Sequence, residues 1–186
     1  MKKLTLFIII LFIDCASLAI TTEVSLSYSR KKTTFDENNY IDTESATGSL
    51  SFYFWEIFAL ETSYTNAIAL REEKASDSDD RRTIIQTTKV VGADLIWILS
   101  RGGLLQPYLK AGMANLQRSQ EFKIEGQSPV TLEPETALIP SYGAGMKIMM
   151  SQTFSLKMSY DVWRTPVTDT TYTNDAQLRA GLSWML

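Results

Sequence analysis

The chain has 186 residues, 45% apolar and 21% charged, with 18 basic and 21 acidic side chains; this is room for one domain of ordinary composition, neither disordered nor helical-membrane in type. It contains no histidine and a single cysteine, Cys15. Histidine acid–base catalysis, histidine-rich metal sites, cysteine-cluster zinc and a disulfide framework are thereby excluded, and no basic patch for nucleic acid emerges.

Lys2 and Lys3 precede an apolar run from Leu4 to Ile13, broken only by Thr5, and small residues follow up to Ser17-Leu18-Ala19. A basic start, an apolar middle and a small-x-small exit predict a secretory signal peptide over residues 1–19, cut after Ala19. Cys15 is not read as a lipidation site, because Asp14 stands where a small residue is required. Cleavage removes the only cysteine and leaves residues 20–186 with 18 − 2 = 16 basic and 21 − 1 = 20 acidic residues, a net charge of 16 − 20 = −4. No later apolar stretch approaches the roughly 20 residues of a spanning helix, so the exported chain is either soluble or crosses a membrane as strands.

From there the sequence alternates with period two. Val24, Leu26 and Tyr28 oppose Ser25, Ser27 and Ser29; Leu50, Phe52 and Phe54 oppose Ser49, Ser51 and Tyr53. Phe58, Leu60, Thr62 and Tyr64 oppose Ala59, Glu61, Ser63 and Thr65, and Val91, Ala93, Leu95 and Trp97 oppose Gly92, Asp94 and Ile96. In the second half Leu109, Ala111 and Met113 oppose Lys110, Gly112 and Ala114, and Tyr142, Ala144, Met146 and Ile148 oppose Ser141, Gly143, Gly145 and Lys147. Phe154, Leu156, Met158, Tyr160 and Val162 oppose Ser155, Lys157, Ser159 and Asp161; last, Ala176, Leu178, Ala180, Leu182, Trp184 and Leu186 oppose Gln177, Arg179, Gly181, Ser183 and Met185. Eight strands are predicted. Their links alternate between long polar segments (residues 32–44, 69–83, 118–136 and 165–173) and short turns near 55–57, 100–104 and 150–152. Nine of the twelve residues from Arg71 to Arg82 are charged, as suits a solvated loop tip. Long loops at one end and tight turns at the other predict an all-β fold, an eight-stranded antiparallel up-and-down barrel.

The polar face decides what surrounds it. A water-exposed exterior would carry Lys, Glu, Gln and Thr freely, whereas this face is dominated by Ser and Gly, which suit the narrow interior of eight strands. The apolar face is then the outside and its solvent is lipid: a transmembrane β-barrel rather than a soluble cup. With both termini placed on the short-turn, periplasmic side, Phe54, Phe58, Trp97, Phe154 and Trp184 form one aromatic girdle and Tyr28, Tyr64, Tyr142 and Tyr160 the other. Small-Gly steps at Ala111-Gly112, Ala144-Gly145 and Ala180-Gly181 put glycine inward beside bulky neighbours and relieve crowding.

The final octet, Arg179-Ala180-Gly181-Leu182-Ser183-Trp184-Met185-Leu186, resembles the assembly signal of bacterial outer-membrane barrels at Arg179, Gly181, Trp184 and Leu186, with Leu186 departing from the commoner terminal Phe. With the signal peptide, the whole chain resembles the small OmpA/OmpX/OmpW-type barrels. The resemblance implies the outer membrane of a Gram-negative cell, contact with outer-membrane lipid and lipopolysaccharide, recognition by the barrel-assembly machinery, and a monomer. Because Leu186 ends the last strand, no periplasmic domain is expected after it. Barrel enzymes of that membrane, such as omptin proteases and lipid A acyltransferases and deacylases, need a catalytic His, so no enzyme, cofactor or metal centre is expected. The Asp77-Ser78-Asp79-Asp80 cluster lacks the spacing of a calcium loop and reads as surface.

Seven charged residues fall on the inward phase: Glu61, Asp94 and Asp161 with Lys110, Lys147, Lys157 and Arg179. Opposite signs at similar heights in a confined lumen predict a salt-bridge network, the alternative being an ion or solute constriction. Inward Val90, Ile96, Met149 and Trp163 lie toward strand ends, where they gate or cap. Two functions follow. One is a closed structural or surface-interaction barrel whose charged loops meet a surface ligand; the other is an OmpW-like narrow channel for small or hydrophobic solutes, against which the Ser/Gly/Lys/Asp lumen argues.

Overall fold

The computed structural model describes residues 21–35, 39–74, 81–124, 128–166 and 172–186. The expected signal peptide and the Asp77-Ser78-Asp79-Asp80 cluster lie outside them. The strands are β1 (Thr21–Thr34), β2 (Tyr40–Tyr53), β3 (Phe58–Lys74), β4 (Arg81–Ile98), β5 (Leu105–Ile124), a two-residue β6 (Val130–Thr131), β7 (Glu135–Met149), β8 (Phe154–Pro166) and β9 (Tyr172–Met185). Strands adjacent in sequence pair antiparallel, β5 pairs β7 directly with β6 as a short rider on β5, and β1 pairs β9. The result is a closed barrel of eight antiparallel strands.

Period two sets the two faces. Leu26, Leu50, Leu60, Leu95, Leu109 and Leu182 point outward and remain between 40% and 61% exposed, an apolar band far too continuous for a water-facing wall. Ser25, Ser29, Ser45, Ser49, Ser51, Ser141, Ser155, Ser159 and Ser183 are buried inward. Aromatic residues mark the short-turn end of the outer wall: Phe58 and Trp97, opposite each other in register, stack at 6.3 Å and 18°, and Phe154 meets Trp184 at 5.0 Å. Tyr28, Tyr64, Tyr142 and Tyr160 stand outward and exposed farther along their strands. The turn between β4 and β5 uses Gly102 at φ 97°, a conformation open to glycine and costly elsewhere. The short-turn end is also laced by main-chain bonds, Leu186 N–H to Thr22 O and Met185 N–H to Thr153 O, both 2.8 Å.

Two expectations are corrected. The links taken as long loops are largely strand: pairing continues to Thr34↔Tyr40, Lys74↔Arg81, Arg82↔Ile124 and Pro166↔Tyr172. Once a hairpin rises past the apolar band both its faces meet water, so alternation fades while the hydrogen-bond ladder persists. Val162, on the outward phase, is buried, flanked in register by Tyr142 and Ala176.

Candidate functional site: a layered lumen

Read along β4 from the short-turn end, the inward residues are Ile98, Ile96, Asp94, Gly92, Val90, Thr88 and Gln86, and this order describes the lumen. The first layer is apolar: Tyr53, Ala59, Ile96, Ile98 and Tyr108, all buried. The second is ionic. The third is again apolar, with Val90, Ala114, Leu116 and Ile139 packed against Ala137 and Trp163. Above it the lumen widens into a cup of about 420 Å³.

In the ionic layer Glu61 is the hub. Its carboxylate accepts from Lys157, from Lys110 at 3.3 Å, and from the Ser49 and Ser51 hydroxyls at 3.2 Å each. Lys110 also reaches Asp161 at 2.8 Å and Asp94 at 3.9 Å, and Asp94 accepts from the Ser141 hydroxyl. Asp161 is paired with Arg179 at 3.2 Å and accepts from Ser159 at 2.9 Å. Arg179 donates to Thr65 and Gln177, both at 3.2 Å, and lies 4.8 Å from the centroid of Trp163. Six of the seven anticipated residues thus form one connected set.

The seventh, Lys147, pairs instead with Glu23 at 2.5 Å, and Tyr53 bridges them, donating to Glu23 at 2.7 Å. Glu23 is 1% exposed and Lys147 fully buried. Sequence reasoning passed over Glu23, although it lies two residues before Ser25 on the same inward phase. Its inclusion matters to the charge balance. Three acids and four bases leave a surplus of one, whereas Glu23, Glu61, Asp94 and Asp161 against Lys110, Lys147, Lys157 and Arg179 give 4 − 4 = 0. A buried layer of ions is tolerable when paired and hydrogen-bonded in this way.

Glycine makes room for the long side chains. Tyr108 and Gly145 are opposite in register, and a Cβ on Gly145 would collide with the Tyr108 ring. A Cβ on Gly181 would strike the main chain of Leu26 and Ser27. Trp184 is outward on β9 and half-exposed, and Leu186 is 79% exposed at the chain's last residue. Inward Met149 is half-buried at the end of β7. Among the described residues no group of three Asp, Glu, His or Cys side chains converges as a metal site.

Outside the apolar band, Arg30 forms a two-point contact with Asp42, at 2.7 and 3.3 Å, and reaches Glu44 at 3.3 Å. The Arg30 hydrogen bond holds the Asp42 carboxyl below its ordinary pKa.

No curated protein matches the sequence. Among solved structures, the chain is similar to the N-terminal β-barrel domain of Pseudomonas aeruginosa OprF (TM-score 0.59, 16% identity, 89% of this chain and 97% of that one). It is similar to Neisserial surface protein A (0.60, 14%, 89% and 96%) and to Ail, the attachment invasion locus protein of Yersinia pestis (0.55, 14%, 90% and 99%). At these identities the likeness shows the fold. The family model described as the outer membrane protein beta-barrel domain matches residues 16–185, nearly the whole chain, and the protein belongs to that family of Gram-negative outer-membrane barrels.

Proposed function

We propose that this outer-membrane protein is a closed barrel that acts through its surface hairpins rather than by conducting solutes. The observation that carries the reading is the filling of the lumen at three successive levels, an apolar layer, a neutral ionic layer and a second apolar layer. Eight strands leave just enough interior for side chains, and every charge of the ionic layer has an opposite partner. In this reading the signal peptide is removed after Ala19, both termini are periplasmic, and the hairpins β1–β2, β3–β4, β5–β7 and β8–β9 face outward among lipopolysaccharide. Arg179, Gly181, Trp184 and Leu186 serve the barrel-assembly machinery, the protein is a monomer, and it has no catalytic role.

The neutral ionic layer leaves 16 − 4 = 12 basic and 20 − 4 = 16 acidic residues, so the whole net charge of −4 lies beyond that layer. Ail of Yersinia pestis has been crystallised with the heparin analogue sucrose octasulfate. The acidic exterior of the present protein favours a basic partner over such a polyanion. The test is conductance in planar bilayers. The wild-type barrel is expected to pass little current, and deletion of residues 69–83 is expected to remove surface binding while the barrel still folds. Large, steady wild-type conductance, or barrel-dependent uptake of a small apolar solute, would overturn the reading in favour of a narrow channel.

A further inference from the structure

The cup above the third layer is unaccounted for by a sealed lumen. Its volume, about 420 Å³, lies within the range of small-molecule sites. Its floor is apolar, made of Val90, Leu116 and Trp163. Two amides in its wall are already committed: Gln86 accepts from Gln120 at 3.2 Å, and Gln177 binds Ser45 and Arg179.

The charges are asymmetric. Arg118 faces Asp175 at 3.4 Å, and Asp175 is further occupied by the Thr165 hydroxyl at 2.8 Å. Lys31, inward on β1 and exposed at the rim, has no carboxylate partner among the described residues. The cup therefore offers a greasy base and, among the described residues, a lysine with no carboxylate partner at its rim. Its wall is also incomplete: β1 and β9 pair only from Glu23↔Met185 to Tyr28↔Ala180, so Ser29–Lys31 and Asn174–Leu178 border the cup as unpaired strand edges.

We propose that this cup binds a small monoanion with an apolar body, the body seated on Val90, Leu116 and Trp163 and the acidic group held by Lys31 beside Arg118. The inference deepens the surface-interaction reading and rests on it, because the sealed floor makes the cavity a cup and not a passage. The same chemistry is presented by a solute entering from water and by a single-chain amphiphile entering through the gap between β1 and β9.

The protein in lipid nanodiscs is titrated calorimetrically with 1-naphthoate, its neutral amide 1-naphthamide, and dodecanoate, with empty nanodiscs as the reference. Saturable binding of at least one carboxylate is expected, naphthoate indicating entry from water and dodecanoate entry from the leaflet. Lys31→Gln should weaken it by about five- to tenfold, the loss of one charge-assisted contact. Ala67→Trp, which fills the cup from β3, should abolish it while the barrel keeps its unheated gel mobility. Absence of saturable binding by either carboxylate, equal binding of naphthamide and naphthoate, or indifference to both substitutions would overturn the proposal. A conducting barrel that still binds would refute only the closed lumen, and a non-conducting barrel that binds nothing would refute only the cup.

Discussion

Replacing Lys147 by methionine keeps the length of the side chain and deletes its charge, which leaves the Glu23 carboxylate inside the barrel with Tyr53 as its remaining donor. At 2.5 Å and an effective dielectric constant near 20, the lost attraction is about 7 kcal/mol. Desolvation of the two ions costs several kcal/mol each, so the intact pair contributes little net stability, while the broken pair is expensive, about 3–5 kcal/mol. Lys147→Met and Glu23→Gln should therefore each lower unfolding free energy by about that amount. The double variant should recover most of it, giving a coupling energy of at least about 2 kcal/mol. Equilibrium urea unfolding of the barrel in detergent, followed by tryptophan fluorescence, measures all four corners of the cycle. Additive losses, with coupling below about 0.5 kcal/mol, would show that Glu23 and Lys147 do not depend on each other and would refute the neutral-layer argument.

Replacing both Trp184 and Leu186 with Asp should abolish insertion, since it removes the assembly signal and sets charges at the lipid interface; normal outer-membrane levels on immunoblots would refute the assignment. Gly145→Ala should destabilise the barrel by about 1–3 kcal/mol through collision with Tyr108. Tyr108→Leu in the same chain should recover part of that loss in the urea midpoint, whereas equal losses with and without Tyr108 would count against the collision. For Asp42, a carboxyl-carbon NMR titration should give a midpoint below the ordinary value, moved upward by Arg30→Gln. Because the folded pKa is the lower one, this contact stabilises the hairpin above the unfolded pKa, and the benefit is lost as pH falls through the folded pKa. An unchanged midpoint in Arg30→Gln would remove the contact as its cause.

The strands were readable because the apolar band forces strict alternation; Leu50-Ser51-Phe52 and Leu95-Ile96-Trp97 keep their phase whatever the neighbouring strands do. Past the band that constraint lapses, which is why Arg81–Thr83 and Ser119–Lys123 read as loop yet lie in strands. Inward charge was readable too, but partnership was not. Lys147 and Lys157 are directly opposite in register, yet one turns to Glu23 on β1 and the other to Glu61 on β3. Such choices depend on the stagger between strands far apart in sequence and on which short side chains leave space across the lumen. Glu23 escaped notice because alternation was counted from Val24, three residues inside the start of β1 at Thr21.

The junction of β1 with β9 has six residue pairs, whereas every other junction between neighbouring barrel strands has at least nine. It is also the one junction joining distant parts of the chain: Glu23 and Met185 are 185 − 23 = 162 positions apart. All other pairings can form as successive hairpins, while this one must close a loop spanning the domain, at an entropic cost of roughly 4–5 kcal/mol. The barrel is thus a meander whose last act is to meet its own beginning, with few rungs to reward the meeting. Long-range closure of this kind is intrinsically slow, and substitutions along residues 23–28 or 180–185 should slow it further.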